Sequence, residues 1–421
     1  MGAFSNGVKH MSLHDEKLYI VMMGLPARGK STLAIQLQDA FKKSRINTRI
    51  FNNGNLRRLY RPLSETSLSE FYHPDNTAGA DLRKKFALIN LQRAKDYLQH
   101  KGQVAILDAA NVSRERREMI EGFLNDHPLL FLECINDDED ILSLSILEKT
   151  KLPEFARLTT ATAHDEFMKR IDYYQMIYAP LRSERNYIRL DSLQHRIIGE
   201  KHVDQIPLYL WVRDLLVTDM VKNLFLIRHT ETEFNVVNRI GGDPSLTCIG
   251  IFQAKILGQF FSQRKISYIF TSSKQRTIQT AQPITDMQAD CKIIPIKEFD
   301  EIDAGICEEM SYREIEEKMP DTYYGREANK YHYVYPQGES YETMKPRIEA
   351  GIKKAFFLNR HADNIMIIGH QAVNRMILSH FLYRRENDVP YIYVPQDRFY
   401  HIIATQDRKI FQLKPFALKK I

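Results

Sequence analysis

The stretch LYIVMMGLPARGKST, Leu18–Thr32, decides how the first half of the chain is read. An apolar run leads into Gly24, and Gly24, Gly29, Lys30 and Ser31 fit the pattern G-x-x-x-x-G-K-[ST]. The apolar run predicts a strand and the residues from about Lys30 a helix, with a Gly-rich turn between them. Small residues in such a turn let backbone N–H groups close on phosphate oxygens, and the helix start adds the positive end of its dipole. Gly24, Leu25, Pro26, Ala27, Arg28, Gly29, Lys30, Ser31 and Thr32 are therefore expected to cradle ATP. In that arrangement the Lys30 ammonium reaches the β- and γ-phosphates and the Ser31 hydroxyl ligates Mg²⁺.

The same alternation continues downstream. TRIFN, QVAILD, LLFLECI and YIRL are further strand candidates, separated by helix-length segments. One of these, Ala80–His100, sets Leu82, Phe86, Ile89 and Ala94 at near-helical spacing. Beyond residue 220 the pattern restarts with NLFLIRH, YIFTSS, KIIPIKEF and NIMIIGH. The expected fold is α/β, in two domains that each carry a mostly parallel sheet flanked by helices. Between the halves, EKHVDQIPLYLWVRDLLVTDM reads as a connecting helix. The expected organisation is a tail over 1–16 and domains over 17–220 and 221–421. A chain of 421 residues has material for two cores of roughly two hundred residues each.

Composition narrows the function classes. With 43% apolar and 27% charged residues this is an ordinary globular composition, and a net charge of +6 suits anionic small molecules as well as it suits nucleic acid. No sustained basic run or RNA-binding aromatic signature is present, so nucleic acid is not an expected partner. Cys134, Cys248, Cys291 and Cys307 show no CxxC spacing, which points to reduced thiols and a cytoplasmic location. The run LYIVMMGL is too short to span a bilayer, Asn6 spoils a myristoylation signal, and the terminal KKI is not a peroxisomal address. No membrane association is expected.

Several residues carry chemistry. Asp108 ends the strand VAILD, where a carboxylate can assist the metal beside a P-loop. SRERR places Arg114, Arg116 and Arg117 just after it, a clamp for an acceptor's phosphate. In the second half, Arg228 and His229 end a strand and Asn235 follows. Arg276 lies in QRTIQTA, Glu301 in EIDAG, and His370 ends NIMIIGH. Each alone is unremarkable, but together they gather at strand ends and adjoining turns, where parallel sheets assemble sites.

LIRHTETEFN, QRTIQTA, EIDAG and IIGHQAV resemble the histidine phosphatase (phosphoglycerate-mutase-like) superfamily. IGGD, GREANKYHYVYPQGESYE and HQAVNR narrow the likeness to the bisphosphatase half of the 6-phosphofructo-2-kinase/fructose-2,6-bisphosphatase family. GLPARGKS, FNNGNLRR, LRKKFAL, SRERR and FMKRIDYY are similar to that family's kinase half. The resemblance runs from about Lys17 to His380. It implies a P-loop NTPase-like domain followed by a phosphoglycerate-mutase-like one. One half phosphorylates the 2-position of fructose 6-phosphate with MgATP, and the other hydrolyses fructose 2,6-bisphosphate. A homodimer is compatible with it.

By the same resemblance, Arg57, Arg58, Arg83, Arg116, Arg170 and Tyr174 hold fructose 6-phosphate. The family's further lysine falls at Lys149 or Lys151, and KTKL favours Lys151. Arg228, Asn235, Gly241, Tyr312, Arg326, Lys330, Tyr341, Gln371 and Arg375 are implied to bind the bisphosphate. His229 then attacks phosphorus as a neutral imidazole, with Arg228 and Arg276 neutralising the phosphoryl oxygens. Glu301 is the expected proton donor and His370 a hydrogen-bonding partner of the transferring group. Thr230 stands where the family usually has Gly. The kinase half departs further: Ala110 and Val112 replace two threonines, Asn136 replaces a cysteine, and SLSILEK replaces an Asn-rich segment. Those losses raise an alternative, a bisphosphatase whose P-loop half senses ATP and barely catalyses.

Overall fold

The computed structural model describes residues 16–60, 68–359, 362–382, 385–405 and 408–416. Asn6, the terminal KKI and nearly all of the expected tail lie outside them. The chain divides into two units, Met1–Thr218 and Asp219–Ile421.

The first unit is built on β1 (Leu18–Met23), whose six residues are all fully buried. Such a continuous apolar strand needs cover on both faces, which a parallel sheet with crossover helices provides. Around it stand β2 (Thr48–Asn52), β3 (Val104–Asp108), β4 (Leu129–Ile135), β5 (Asn186–Asp191) and β6 (Arg196–His202), in the order β2-β3-β1-β4-β5-β6. All pairs are parallel except β5 with β6. The helices are α1 (Lys30–Lys43), α2 (Asn53–Tyr60), α3 (Thr77–Gln99), α4 (Arg114–Phe123), α5 (Glu139–Thr150), α6 (Thr160–Met176) and α7 (Tyr209–Val217). On one sheet face Tyr19, Val21 and Met23 pack with Leu91, Ala94 and Leu98 of α3 and Ile120 of α4. Burying each of the Val, Leu, Ile and Met side chains among these is worth roughly 1.5–3 kcal/mol.

The connecting helix expected from Glu200 to Met220 is corrected. Its first residues belong to β6, and only Tyr209–Val217 is helical. β6 is a largely exposed edge strand rich in charge, so it lacks the apolar run that marks the buried strands.

In the second unit, β7 (Val221–Arg228), β8 (Tyr268–Thr271), β9 (Lys292–Pro295), β10 (Asn364–Gly369), β11 (Arg398–Ala404) and β12 (Lys409–Pro415) run in the order β12-β11-β7-β10-β8-β9. β7, β10, β8 and β9 are parallel, whereas β11 is antiparallel to both β7 and β12. That last hairpin was not anticipated. The helices are α8 (Glu233–Val236), α9 (Cys248–Phe261), α10 (Gln275–Asp286), α11 (Tyr312–Lys318), α12 (Pro320–Ala328), α13 (Tyr341–Leu358) and α14 (Gln371–Phe381). Leu224 and Leu226 face a core with α13 and α14, and Phe225 and Ile227 face α9 and α10. Among the described residues no helix is long and apolar enough to cross a membrane.

Candidate active sites

In the first unit a cavity of about 400 Å³ lies beyond the carboxyl ends of β1, β2 and β3. Its floor is the turn after β1. Gly24 has φ +137°, and a Cβ there would lie 2.4 Å from the Cys134 carbonyl oxygen, so only glycine lets the turn press against β4. Ala27 and Gly29 also take positive φ. Pro26, Ala27, Lys30 and Ser31 line the cavity. The Lys30 ammonium is buried and donates to the Leu25 carbonyl at 2.6 Å, and burial lowers its pKa to about 8. Asp108 also lines the cavity and accepts from the Asn52 amide at 2.5 Å. Asn52 was not among the expected site residues.

The opposite wall is basic. Arg57, Arg58, Arg83, Arg116, Arg170 and Tyr174 all line the cavity, as expected. The lysine is corrected: Lys149 lines it, whereas Lys151 caps α5 with an exposed side chain paired to Glu148. Lys149 lies in the last turn of α5 and lines the cavity, whereas Lys151 follows the helix end. One organiser was missed altogether. Glu154 is buried, bonds Arg57, and lies 3.6 Å from Arg58 and 3.8 Å from Arg170. KLPEF carries no local signal for that role, because its partners come from α2 and α6. Arg57 Nε and Arg170 Nε are buried without a protein partner, an arrangement that fits an incoming anion.

The loop Asp108–Val112 is held by hydrogen bonds that need no hydroxyl at Ala110 or Val112. Gly24 N–H donates to Ala110 O at 2.9 Å, and the Asn111 amide donates to Met22 O at 2.9 Å. Buried Arg117 bonds the Val112 carbonyl at 2.8 Å and the Glu184 carboxylate at 2.5 Å. Arg117 is thus structural, unlike its cavity-lining neighbour Arg116. Asn136 is buried and accepts from Asp138 N–H at 3.1 Å.

In the second unit a cavity of about 230 Å³ is lined by Arg228, His229, Asn235, Gly241, Arg276, Glu301, Tyr312, Arg326, Lys330, Tyr341, Gln371 and Arg375. His229 extends from the end of β7. Its backbone N–H donates to Gly369 O at 2.9 Å, and its ring Nδ1 lies 2.9 Å from the Thr230 carbonyl. A carbonyl only accepts, so Nδ1 carries the proton and Nε2 keeps its lone pair. Thr230 is fully buried and bonded to Thr280, which keeps its side chain out of the cavity. Gly241 has φ +68°, and a Cβ there would meet the Glu308 carboxylate at 2.0 Å. Glu308, also unanticipated, fixes that loop by accepting from Gly242 N–H at 2.5 Å and Ala304 N–H at 2.8 Å.

Arg276 donates to the Gly242 carbonyl at 2.7 Å and to His370 Nδ1 at 3.2 Å, while His370 Nε2 bonds the Ser272 hydroxyl at 2.8 Å. Both His370 nitrogens are therefore engaged by protein groups. His370, expected to hydrogen-bond the transferring group, is fully buried here and bonds the Arg276 guanidinium. Glu301 accepts from the N–H groups of Gln371 and Ala372 at the start of α14. Arg326 lies over the Tyr312 ring at 5.1 Å, and Arg375 donates to the Tyr341 hydroxyl at 3.0 Å. Arg228 Nε is buried without a protein partner.

Burial first, then the charges of Arg228 and Arg276, hold the His229 imidazole well below its usual range. Burial and Arg276 do the same to His370. Unfolded, both rings protonate near pH 6.5. Below that pH the unfolded chain binds more protons than the folded one, so stability is present above about 6.5 and lost as pH falls. We expect each ring to contribute a slope of roughly 1.4 kcal/mol per pH unit below pH 6.5. Urea unfolding of wild type and His370→Asn at several pH values from 7.5 to 5.5 measures this. Equal slopes for the two proteins contradict it.

The comparisons with known proteins match both units. Residues 6–213 match the 6-phosphofructo-2-kinase family model, and residues 224–414 match the histidine phosphatase superfamily (branch 1). The chain is 35% identical over 394 residues to 6-phosphofructo-2-kinase/fructose-2,6-bisphosphatase 3 of Rattus norvegicus, covering 91% of this chain and 69% of that protein. It is 36% identical over 389 residues to 6-phosphofructo-2-kinase/fructose-2,6-bisphosphatase 4 of Rattus norvegicus, covering 89% and 80%. Against 6-phosphofructo-2-kinase/fructose-2,6-bisphosphatase 1 of Homo sapiens it is 35% identical, covering 89% and 79%. With both halves matched in order and along nearly the whole chain, this protein belongs to the 6-phosphofructo-2-kinase/fructose-2,6-bisphosphatase family.

Proposed function

We propose that the protein makes fructose 2,6-bisphosphate from ATP and fructose 6-phosphate in its first unit and hydrolyses the 2-phosphate in its second. What carries this reading is that the basic wall survives on one side and the neutral His229 is set among arginines on the other. In the first site the turn Gly24–Thr32 binds the triphosphate. Ser31 and Asp108 fit Mg²⁺ as two oxygen ligands beside the phosphates, which is how that ion is commonly held in phosphoryl-transfer sites. When bound, the ion neutralises charge on the β- and γ-phosphates. Lys30 stabilises the moving phosphoryl group, and Arg57, Arg58, Arg83, Arg116, Arg170 and Lys149 position the acceptor by its 6-phosphate.

In the second site His229 Nε2 forms a bond to phosphorus as the bond to the sugar's 2-oxygen breaks. Glu301 supplies the proton to that oxygen and then takes one from the attacking water. Arg228 and Arg276 neutralise the phosphoryl oxygens, with Arg276 held by His370. Arg326, Lys330, Tyr312, Tyr341, Gln371 and Arg375 orient the rest of the sugar bisphosphate.

The two lost hydroxyls at Ala110 and Val112 are the feature that suggests an ATP-sensing half. Since the loop holds its place through Asn111 and Arg117, the expected consequence is weaker sugar binding and not a dead site. A hydrogen bond to a charged group is worth about 1.5–3 kcal/mol, or roughly one to two decades. Ala110→Thr is therefore expected to lower the KM for fructose 6-phosphate by about tenfold, with kcat changed far less. The assay follows fructose 2,6-bisphosphate formed from MgATP and fructose 6-phosphate. Product from neither protein overturns the kinase reading, and an unchanged KM overturns the account of the loop.

A further inference from the structure

The bisphosphatase site has a support that neither the motifs nor the family match assigns. Segment 392–396, just before β11, runs beside the cavity and bonds its residues through Ile392, Val394 and Gln396. Arg375 Nε donates to Ile392 O at 2.9 Å, Arg228 Nη1 donates to Val394 O at 3.3 Å, and the Gln396 amide reaches both His229 and Asn235. The alternation is that of a short strap, with Ile392 and Val394 buried and Tyr391 and Tyr393 exposed.

The amide orientations follow from one unambiguous donor. Thr232 N–H can only donate, and it points at Asn235 Oδ1 at 3.0 Å, so that atom is the carbonyl oxygen. Gln396 Nε2 donates to the same oxygen at 2.8 Å and to the His229 carbonyl at 3.2 Å. Both lone pairs of Asn235 Oδ1 are then in use. Asn235, which lines the cavity, can offer it only N–H groups.

We infer that Gln396 is a positioning residue of the phosphatase reaction: it locks the Asn235 amide with its N–H side toward the transferring phosphoryl group and ties that amide to the backbone of the nucleophile. This rests on the function proposed above. Gln396 acts through Asn235 at the reacting phosphoryl group and not at the distal phosphate, which Arg326 and Lys330 would hold. Its loss therefore acts on kcat more than on KM.

The test is a double-mutant cycle on the full chain, with phosphate release from fructose 2,6-bisphosphate as the assay. Gln396→Leu is expected to lower kcat by about tenfold while KM moves less than about twofold. Gln396→Glu is expected to be worse by about a further tenfold. A carboxylate there sets acceptor against Asn235 Oδ1 and opposes the orientation that the Thr232 N–H imposes, so the amide is displaced from the phosphoryl group. In an Asn235→Ala background, most of the Gln396→Leu effect is expected to disappear. An undiminished effect there means a merely structural role and overturns the inference, as does a wild-type kcat in Gln396→Leu. Thermal melting of each variant separates these results from unfolding. If wild type itself releases no phosphate, the proposed function has failed and not the role of Gln396.

Discussion

His229→Ala is expected to lower hydrolysis of fructose 2,6-bisphosphate by at least about 10³-fold, because a site loses most of its power with its nucleophile. The structure gives the reason in atoms. Nδ1 is committed to the Thr230 carbonyl, so Nε2 is the free lone pair, and burial beside two arginines keeps the ring neutral. Neither Arg228 nor Arg276 can replace it, since a guanidinium has no lone pair to attack phosphorus. Two measurements follow: phosphate release, and trapping of an acid-labile phosphoenzyme from substrate labelled in the 2-phosphate. The variant is expected to show neither, while synthesis of fructose 2,6-bisphosphate from MgATP continues. A retained hydrolysis rate, or label found on another residue, removes His229 from the role.

Lys30→Ala is expected to lower the kinase rate by about 10²–10³-fold, the usual cost of deleting one donor aimed at developing charge. Lys30 is buried at the start of α1, and its amine is held against Leu25 O, pointing back over the turn proposed to cradle the phosphates. Deleting a buried cation whose pKa burial has already lowered to about 8 should not destabilise the unit much, so the loss is assigned to catalysis and not to folding. Calorimetry with MgATP and a kinase assay decide it. Unchanged turnover contradicts a working P-loop, and phosphatase activity serves as the internal control because its residues lie in the other unit.

Much of both sites was legible because their chemistry sits where the chain changes from strand to turn. An apolar run ending in glycine, or in Arg-His, marks the carboxyl end of a buried parallel strand, and ligands bind at that edge. So Gly24–Ser31 and Asp108 could be read from short windows, whereas Arg228 and His229 counted only together with Arg276, Glu301 and His370. Of the arginines that line the first cavity, Arg116 could be picked from SRERR, but Arg57, Arg58, Arg83 and Arg170 could be named only by family likeness, since α2, α3 and α6 bring them from distant positions.

The sequence by itself determined the two α/β units, the strands of their buried sheets, the Gly-rich turn after the first strand and the place of His229 at a strand end. Those depend on local backbone geometry and on the apolar continuity that burial requires. Only the tertiary structure decided which of Lys149 and Lys151 lines the cavity, that Arg117 holds a loop while Arg116 lines the cavity, and that His370 bonds Arg276. It alone added β6, β11 and β12, and with β11 the strap that brings Gln396 to His229, 167 residues away in sequence. Edge strands exposed to solvent carry no strong apolar run. A single polar side chain acquires its role only when folding sets its partner beside it, so the hydrogen bonds that organise these sites leave no mark on the linear chain.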